Sequence, residues 1–345
     1  MKKYMLITVS LILVMSLLVG CGANTTNVSN LKEEDNFTIK LAHEEAPNSF
    51  QDLYSKKFAE VIKEKSNGRV SVEIFTIGQL GSDQDILQSL QTGVINMVIT
   101  SPGTTGTLIP EAQFFNLHFL FSDDMEKNKE ILKESKAINE ILSEIYLEKG
   151  IKVLSYWTEG FMDWSSNKPL KTVNDFNGFK MRTMQSPLIM SSYKAYGANP
   201  SPVPFSDVYS SLQLNMIDGQ ENPIFYIEHN NLDEVQDYLT RSKHAIYVAA
   251  TAINPEFYDS LPSDVQKMII ETVDDIYDYS FEMQQDLNEK ALEEMVKSSG
   301  IEIIELSSEA REEFKQISLP LRDEYVKQVN GRAKEIMNTL TQEID

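Results

Sequence analysis

The side chains best suited to bind a small solute lie in two short stretches of the second half of the chain. GFKMRT (178–183) places Arg182 at the end of a predicted strand, and DGQEN places Gln220 and Asn222 between apolar segments. A guanidinium can bind a carboxylate through two parallel hydrogen bonds, and a carboxamide can both donate and accept. The pattern indicates a site for a small carboxylate. An internal ion pair for Arg182 and a plain surface turn for the amides are the alternatives.

The common short motifs of catalysis and metal binding are absent from the sequence. It has no G-x-S-x-G elbow, phosphate-binding loop, dinucleotide glycine pattern or H-E-x-x-H. The four histidines, His43, His118, His229 and His244, are scattered and lack metal-ligand spacing. Cys21 is the only cysteine, which excludes an internal disulfide and a thiol catalyst deeper in the chain. We therefore expect no catalytic residue, cofactor or metal.

The first residues have the pattern of an export signal. Two lysines precede an apolar run from Met5 to Val19, so residues 1–20 are predicted to be a signal peptide. The sequence LVGC, which ends at Cys21, resembles a bacterial lipobox, in which the cysteine becomes the lipidated N-terminus. Residues 21–36 are then a flexible tether on the outer side of the membrane. The alternative is a plain secreted protein with an incidental cysteine.

The charge of the chain limits its partners. Its formal net charge is -21, and only six of its residues are arginine. No basic patch is available for nucleic acid, so we expect no nucleic-acid partner. The acidity is typical of a soluble, self-repelling exterior. We expect a monomer.

The first third of the chain alternates strand and helix patterns. The predicted strands are 37–42, 70–75 and 95–100, and the predicted helices are 49–66 and 82–93. This order favours an α/β fold with a mainly parallel sheet. In open sheets of this kind, ligands lie beyond the carboxyl ends of the strands.

The second half repeats this order. Its predicted strands are 179–183 and 301–306, and its predicted helices are 187–196 and 204–215. SLQTGVINMVITSP (89–102) and SLQLNMIDGQENP (211–223) are similar, so an internal duplication is one explanation and chance the other. Two lobes facing one cleft would suit a small-molecule site.

Three longer stretches connect the predicted lobes. The strand-like runs 151–161 and 243–254 are predicted to cross between them, and 262–299 reads as one helix of about 38 residues that spans both. The predicted domains are lobe I, residues 37–159 plus 248–287, and lobe II, residues 160–247 plus 288–345.

Four segments together resemble the solute-binding proteins of TRAP (tripartite ATP-independent periplasmic) transporters. They are QLGSDQDILQSLQTGVINM (79–97), NGFKMRT (177–183), PVPFSDVYSSLQ (202–213) and DGQENP (218–223). The resemblance extends from about Phe37 to the C-terminus. It implies a two-lobed periplasmic-binding-protein-like fold with a hinge. The lobes would close on a carboxylate-bearing solute and deliver it to an ion-gradient-driven membrane permease, without chemistry on the solute.

The resemblance also assigns roles to individual residues. It implies that Arg182 holds the solute carboxylate, that Asn222 is its amide partner and that Phe205 is an aromatic wall. Further candidate ligand-binding residues are His43, Asp83, Thr100, Ser101, Thr104 and Gln185.

Met162 departs from the family pattern, because many relatives have a second arginine there. With Trp164 beside it, the sequence predicts an apolar wall and a monocarboxylate solute with an uncharged far end rather than a C4-dicarboxylate. A protonated His43 is the alternative source of the missing charge.

Two other functions compete with a transport receptor. One is a ligand-sensing lipoprotein that presents its solute to a sensor kinase or chemoreceptor. The other is an extracellular carbohydrate-active enzyme, which would need two carboxyl groups ~5–9.5 Å apart in the cleft.

Overall fold

One mixed sheet of nine strands organises the part of the chain that this computed structural model describes, residues 36–329 and 331–344. The strands are β1 (Phe37–His43), β2 (Val70–Phe75), β3 (Met97–Thr100), β4 (Lys152–Ser166), β5 (Lys180–Thr183), β6 (Asn199–Pro202), β7 (Gly219–Asn222), β8 (Tyr238–Ile253) and β9 (Glu302–Glu305). Their order is β2-β1-β3-β8-β4-β7-β5-β6, with β9 beside β8.

The centre and the two ends of the sheet differ in strand direction. β1 runs parallel to β2 and β3 at one end, and β5 runs parallel to β6 and β7 at the other. Between them the long strands β4 and β8 pair antiparallel with each other, and β3 and β7 pair antiparallel with them. The predicted α/β fold is confirmed. Its parallel parts are the two groups at the ends of the sheet and the pair of β8 and β9, and the long strands predicted as crossings join the two end groups.

Helices flank this sheet. The α-helices of the described residues are α1 (Phe50–Lys65), α2 (Asp83–Gln91), α3 (Pro102–Thr105), α4 (Met125–Glu134), α5 (Ser143–Glu148), α6 (Pro187–Ala195), α7 (Val208–Gln213), α8 (Ile224–His229), α9 (Pro255–Ser260), α10 (Ser263–Asp275), α11 (Tyr277–Ser298), α12 (Ser308–Ser318), α13 (Pro320–Gln328) and α14 (Ala333–Ile344). Within that part of the chain, none is both long and apolar enough to span a bilayer.

Local sequence signals explain where the first helices begin. Ser49 caps α1 by accepting a hydrogen bond from the backbone N–H of Asp52. Ser82 and Asp85 form a reciprocal capping box at the start of α2. Both caps satisfy backbone N–H groups that have no partner inside the helix. The predicted helix starts are therefore confirmed.

The predicted 38-residue helix is wrong in one respect, because the structure divides it into α10 and α11. Ile276 lies between them with φ -94° and ψ 3°, outside the helical region, and is buried. The hydrogen bond from Ile276 N to Thr272 O, 3.2 Å, still links the two parts. Since no glycine or proline marks this break, the apolar pattern alone did not predict it.

The buried apolar side chains form two separate groups, of which the larger contains residues of both predicted lobes. The larger group includes Ile39, Phe58 and Trp157, and the smaller includes Trp164 and Phe176. The two-lobed architecture is confirmed by the solved relatives described below. The residue boundaries given above for the lobes stay a prediction.

Candidate functional site

Arg182 is a buried cation at the end of β5. Its side chain is 4% exposed, its Nε donates to the carbonyl of Val203 at 3.0 Å, and its guanidinium lies 5.9 Å from the ring centre of Phe205. Burial lowers the pKa of Arg182, but a guanidinium stays charged at neutral pH. Among the described residues, no carboxylate oxygen lies within 4.0 Å of its nitrogens. The internal ion pair that was the alternative is therefore not formed there.

The last four residues of the DGQEN stretch form a buried strand, β7, so the surface turn considered as an alternative is wrong. Its polar side chains are paired, which makes their burial possible. Gln220 Nε2 donates to Ser165 Oγ at 2.9 Å, and Asn222 Nδ2 donates to Gln220 Oε1 at 2.5 Å. A Cβ on Gly219 would come 2.4 Å from the carbonyl of Ser165, so the close pairing with β4 requires glycine.

Arg182 and Asn222 lie at the same edge of the sheet. β5 and β7 are parallel neighbours, paired at Met181 and Gly219, so their carboxyl ends coincide. Phe205 is half-buried beside this edge and packs against Tyr226, with 4.7 Å between the ring centres. The structure thus brings together the three residues expected to hold the solute carboxylate and cover it.

Four of the predicted first-lobe residues lie around the carboxyl group of Glu44, which was not among the candidate residues predicted from the sequence. Thr100 Oγ1 donates to Glu44 Oε1 at 2.5 Å. Thr104 Oγ1 donates to Asp83 Oδ2 at 3.3 Å, and Ser101 lies 3.5 Å from Thr104 Oγ1. Burial raises the pKa of Glu44 to about 8, an increase that these hydroxyl groups oppose and Asp83 favours.

His43 is fully buried, and its surroundings do not favour a protonated, cationic imidazole. Its Nδ1 accepts a hydrogen bond from the backbone N–H of Glu45 at 3.3 Å, and its Nε2 lies 3.6 Å from Asp52 Oδ1. Burial lowers the pKa of His43 to about 4, although Asp52 opposes this. At neutral pH the imidazole is uncharged, which argues against the alternative in which it replaces a second arginine.

Two further carboxyl groups, of Glu45 and Glu159, are buried near the half-buried Glu44. Gln51 contacts both, since its backbone N–H donates to Glu45 Oε2 at 3.1 Å and its Nε2 to Glu159 Oε1 at 2.9 Å. Burial raises the pKa of both carboxyl groups, and the charge of Glu45 raises that of Glu159 further. The sequence contained a signal for Glu45 but not for Glu159, because Glu44 and Glu45 directly follow β1, at the strand end where an open sheet binds ligands.

The charges of these carboxyl groups raise the pKa of two tyrosines, Tyr226 and Tyr247. Burial raises the pKa of the Tyr226 phenol, the charges of Glu45 and Glu159 raise it further, and Arg182 opposes them. Tyr247 senses the same carboxyl groups, and both phenols act on the pKa of Arg182. The pKa of each tyrosine therefore depends on the charges of the carboxyl groups, and that of Tyr226 also on Arg182.

The three remaining predicted residues, Trp164, Gln185 and Met162, have different surroundings. Trp164 is in the smaller apolar group, where its Nε1 donates to Tyr193 Oη at 2.9 Å and its ring stacks on His244 at 4.9 Å. Gln185 is exposed. Met162 is buried and lines a small pocket together with Glu221.

A buried cluster of polar side chains surrounds Glu221 of β7. His244 Nε2 lies 2.7 Å from Glu221 Oε2, which also accepts a hydrogen bond from Tyr193. His118 is the third member, with its Nε2 4.0 Å from the same oxygen. Burial lowers the pKa of each histidine to about 3. These contacts explain how a glutamate can lie inside the smaller core; the absence of a metal there stays a prediction.

Comparison with known proteins agrees with this geometry. The family model described as bacterial extracellular solute-binding protein, family 7, matches residues 41–328. The ectoine-binding periplasmic protein TeaA of Halomonas elongata is 34% identical in sequence, over 98% of this chain and 96% of its own. Its solved structure has a TM-score of 0.85, with 89% of this chain and 99% of that chain covered.

Two further relatives bind other acids. The C4-dicarboxylate-binding periplasmic protein DctP of Rhodobacter capsulatus is 31% identical, with 96% of this chain and 98% of its own covered. A TRAP periplasmic solute-binding protein of Desulfovibrio salexigens, solved with orotic acid, is 27% identical and has a TM-score of 0.85 over 89% of this chain and 98% of that one. The chain therefore belongs to family 7 of the bacterial extracellular solute-binding proteins, the TRAP receptor family that its sequence resembles.

Proposed function

We propose that this protein is the extracytoplasmic receptor for a small carboxylate-bearing solute, which it delivers to a TRAP membrane permease. The observation that carries the proposal is the buried guanidinium of Arg182, which has no carboxylate within 4.0 Å among the described residues. A buried charge without a partner is costly, so an anionic group of the solute would be strongly favoured there. Ectoine, C4-dicarboxylates and orotic acid, named for three relatives, each carry a carboxylate.

The carboxyl groups of the cleft argue against a carbohydrate-active enzyme. Glycoside hydrolysis needs two carboxyl groups about 5–9.5 Å apart, with the scissile bond between them. Glu45 and Glu159 both bind Gln51, and burial raises the pKa of both carboxyl groups, so neither is the ionised nucleophile or base that this reaction also needs. The receptor role, without turnover, is therefore the better supported reading.

A thermal-shift screen of small organic acids tests the receptor role. A solute at 100 times its dissociation constant should raise the free energy of unfolding by about 2.7 kcal/mol, because it binds only the folded state. We expect at least one carboxylate to do so and to be recovered chemically unchanged after incubation. Conversion of the bound compound into a product would instead favour the enzyme.

We also propose that a lipid on Cys21 anchors the receptor to the membrane. Residues 1–35, which hold Cys21 and the predicted signal peptide, lie outside the described residues, so the support is the lipobox-like LVGC alone. Replacing Cys21 with alanine should move the protein from the membrane fraction to the soluble extracytoplasmic fraction. Equal membrane retention of both forms, or an unmodified Cys21 by mass spectrometry, would rule the anchor out.

A further inference from the structure

Three buried side chains meet at one carboxylate oxygen beside the smaller apolar group. The Nε2 atoms of His118 and His244 lie 4.0 Å and 2.7 Å from Glu221 Oε2, and the three potential ligand atoms lie within 4.8 Å of one another. We propose that these three side chains bind one divalent transition-metal ion, best matched by Zn²⁺, which stabilises the fold around β7. None of them is among the residues proposed to hold the solute, so the metal site goes beyond the receptor function.

The proposed site departs from the prediction of no metal, which was made from the spacing of the histidines in the sequence. His118 lies between α3 and α4, Glu221 in β7 and His244 in β8, so only the fold brings the three together. None is more than 3% exposed, and the centres of the two imidazole rings are 4.5 Å apart. Three potential metal ligands therefore share one buried space.

A chain of hydrogen bonds fixes the position of the proton on His118. Ser318 Oγ donates to the carbonyl of Phe314 at 2.8 Å, so it accepts the hydroxyl proton of Tyr196 at 2.6 Å. Tyr196 Oη in turn accepts from Nδ1–H of His118 at 2.9 Å. The Nε2 atom of the neutral imidazole therefore has a free lone pair, and within the described residues no hydrogen bond is made to it.

The same reasoning gives His244 a lone pair that points at Glu221. Ser242 Oγ donates to the carbonyl of Met162 at 3.3 Å and accepts from Nδ1–H of His244 at 2.7 Å. Nε2 of His244 and Oε2 of Glu221 are then two acceptors 2.7 Å apart, which need a proton or a cation between them. Without a metal, a proton on the Glu221 carboxyl group fills this role. A metal ion would replace that proton, which leaves to the solvent, and would also bind the lone pair of His118.

The ligand set matches Zn²⁺. Two imidazole nitrogens and one carboxylate oxygen are typical zinc ligands, whereas Mg²⁺ and Ca²⁺ prefer oxygen ligands alone. Each imidazole donates its other N–H to a hydroxyl group, and Glu221 accepts from Tyr193, as the outer contacts of a metal site do. His118 and Glu221 also line the small pocket beside Met162, which supplies the fourth ligand position for a water molecule.

Strained backbone next to both histidines supports a specific role for them. Phe119 and Lys243 have φ angles of 56° and 45°, in the left-handed region that bulky residues rarely adopt. Such strain persists where the surrounding structure enforces it and is frequent at functional sites. Here the N–H of Phe119 donates to the carbonyl of His244 at 2.6 Å, and Arg311 donates to the carbonyl of Lys243 at 3.1 Å. These contacts fix the backbone that presents His118 and His244 to each other.

Zinc titration of the purified protein tests the site directly. The protein carries no histidine tag and is first dialysed against a chelator. We expect saturable binding of one Zn²⁺ per molecule, at least about 100-fold tighter than that of Mg²⁺ or Ca²⁺, because of the two imidazole ligands. Zinc should also raise the midpoint of thermal unfolding, since it binds the folded state. Failure to bind one zinc ion, or equally tight binding of Mg²⁺ and Ca²⁺, would overturn the proposal.

Two variants test the ligands. His118→Phe keeps a ring of similar shape without a ligand nitrogen, and Glu221→Gln removes the charge but keeps an N–H donor for His244. Each should weaken zinc binding at least about 100-fold, the upper end of what the loss of an outer contact costs. His229→Phe, the same change at a half-buried histidine of α8, is the matched control and should bind zinc like the wild type. Wild-type zinc affinity in either site variant, with its fold verified by circular dichroism, would refute the site.

X-ray absorption at the zinc edge provides a readout that needs no variant. The zinc-loaded wild type should show imidazole scattering from two histidines, with nitrogen and oxygen ligands at about 2.0–2.2 Å. Oxygen ligands alone would place the ion on surface carboxylates and contradict the assignment to His118, Glu221 and His244.

Discussion

Replacing Trp164 with alanine should lower the free energy of unfolding by about 3–5 kcal/mol, because it removes a large side chain from a packed core. Trp164 is 0% exposed, and its ring contacts Phe176 at 4.8 Å and Phe314 at 5.1 Å between ring centres. The change would also leave Tyr193 without its indole N–H donor. The expected loss is comparable to the entire free energy of unfolding of the less stable natural domains.

Urea denaturation of the solute-free protein, followed by circular dichroism, measures this effect. Gln185→Ala is the matched control, because Gln185 is exposed and an exposed substitution changes stability by roughly 0.5 kcal/mol or less. If Trp164→Ala kept wild-type stability but lost solute affinity, Trp164 would be part of the cleft wall that the sequence predicted, and its placement in the core would be incorrect.

The regular elements of the first lobe were predictable because their signals are local. Val70, Val72 and Ile74 alternate along β2, and the strand has the predicted bounds Val70–Phe75. Ser49 and Ser82 mark helix starts through side-chain caps that depend only on neighbouring residues. Such patterns are independent of the rest of the fold, so one sequence is enough to interpret them.

The polar strand β7 was harder to predict, because its stability depends on distant partners. Gln220 is paired with Ser165, and Glu221 with Tyr193 and His244. These residues are 23 to 55 positions away along the chain. Local composition favours a turn for such residues. These residues can form a buried strand only because the fold brings hydrogen-bond partners from distant parts of the chain next to them.

The carboxyl cluster of the site was missed for a related reason. Glu44 and Glu45 follow β1, whereas Glu159 comes from the middle of β4, beside an irregularity at Gly160. Gln51 forms hydrogen bonds with both Glu45 and Glu159, although Glu159 lies 108 positions after Gln51 in the sequence. Apart from their place at a strand end, nothing in the sequence distinguishes them from the many surface acids of a chain with 52 acidic residues.

The second large effect is expected at Arg182. Arg182→Ala should weaken binding of the solute by about 2–5 kcal/mol, because the solute carboxylate would be buried without its charge partner. That corresponds to roughly a 30-fold to several-thousand-fold increase in the dissociation constant. Arg182→Lys should also lose affinity, since an ammonium group cannot make two parallel hydrogen bonds to one carboxylate.

A second arginine provides the control for this experiment. Arg332 forms a surface ion pair with Glu144 at 2.6 Å, and its side chain is 33% exposed. Exposed pairs of this kind contribute at most about 1 kcal/mol to stability. Arg332→Ala should therefore bind the solute like the wild type.

The most direct measurement of solute capture by Arg182 is calorimetric titration of the wild type, Arg182→Ala, Arg182→Lys and Arg332→Ala with the tightest carboxylate from the thermal-shift screen. We expect saturable binding by the wild type and Arg332→Ala, with at least a 30-fold higher dissociation constant for Arg182→Ala, whose far-ultraviolet circular dichroism is unchanged. Equal dissociation constants for the wild type and a folded Arg182→Ala would show that the solute carboxylate is bound elsewhere.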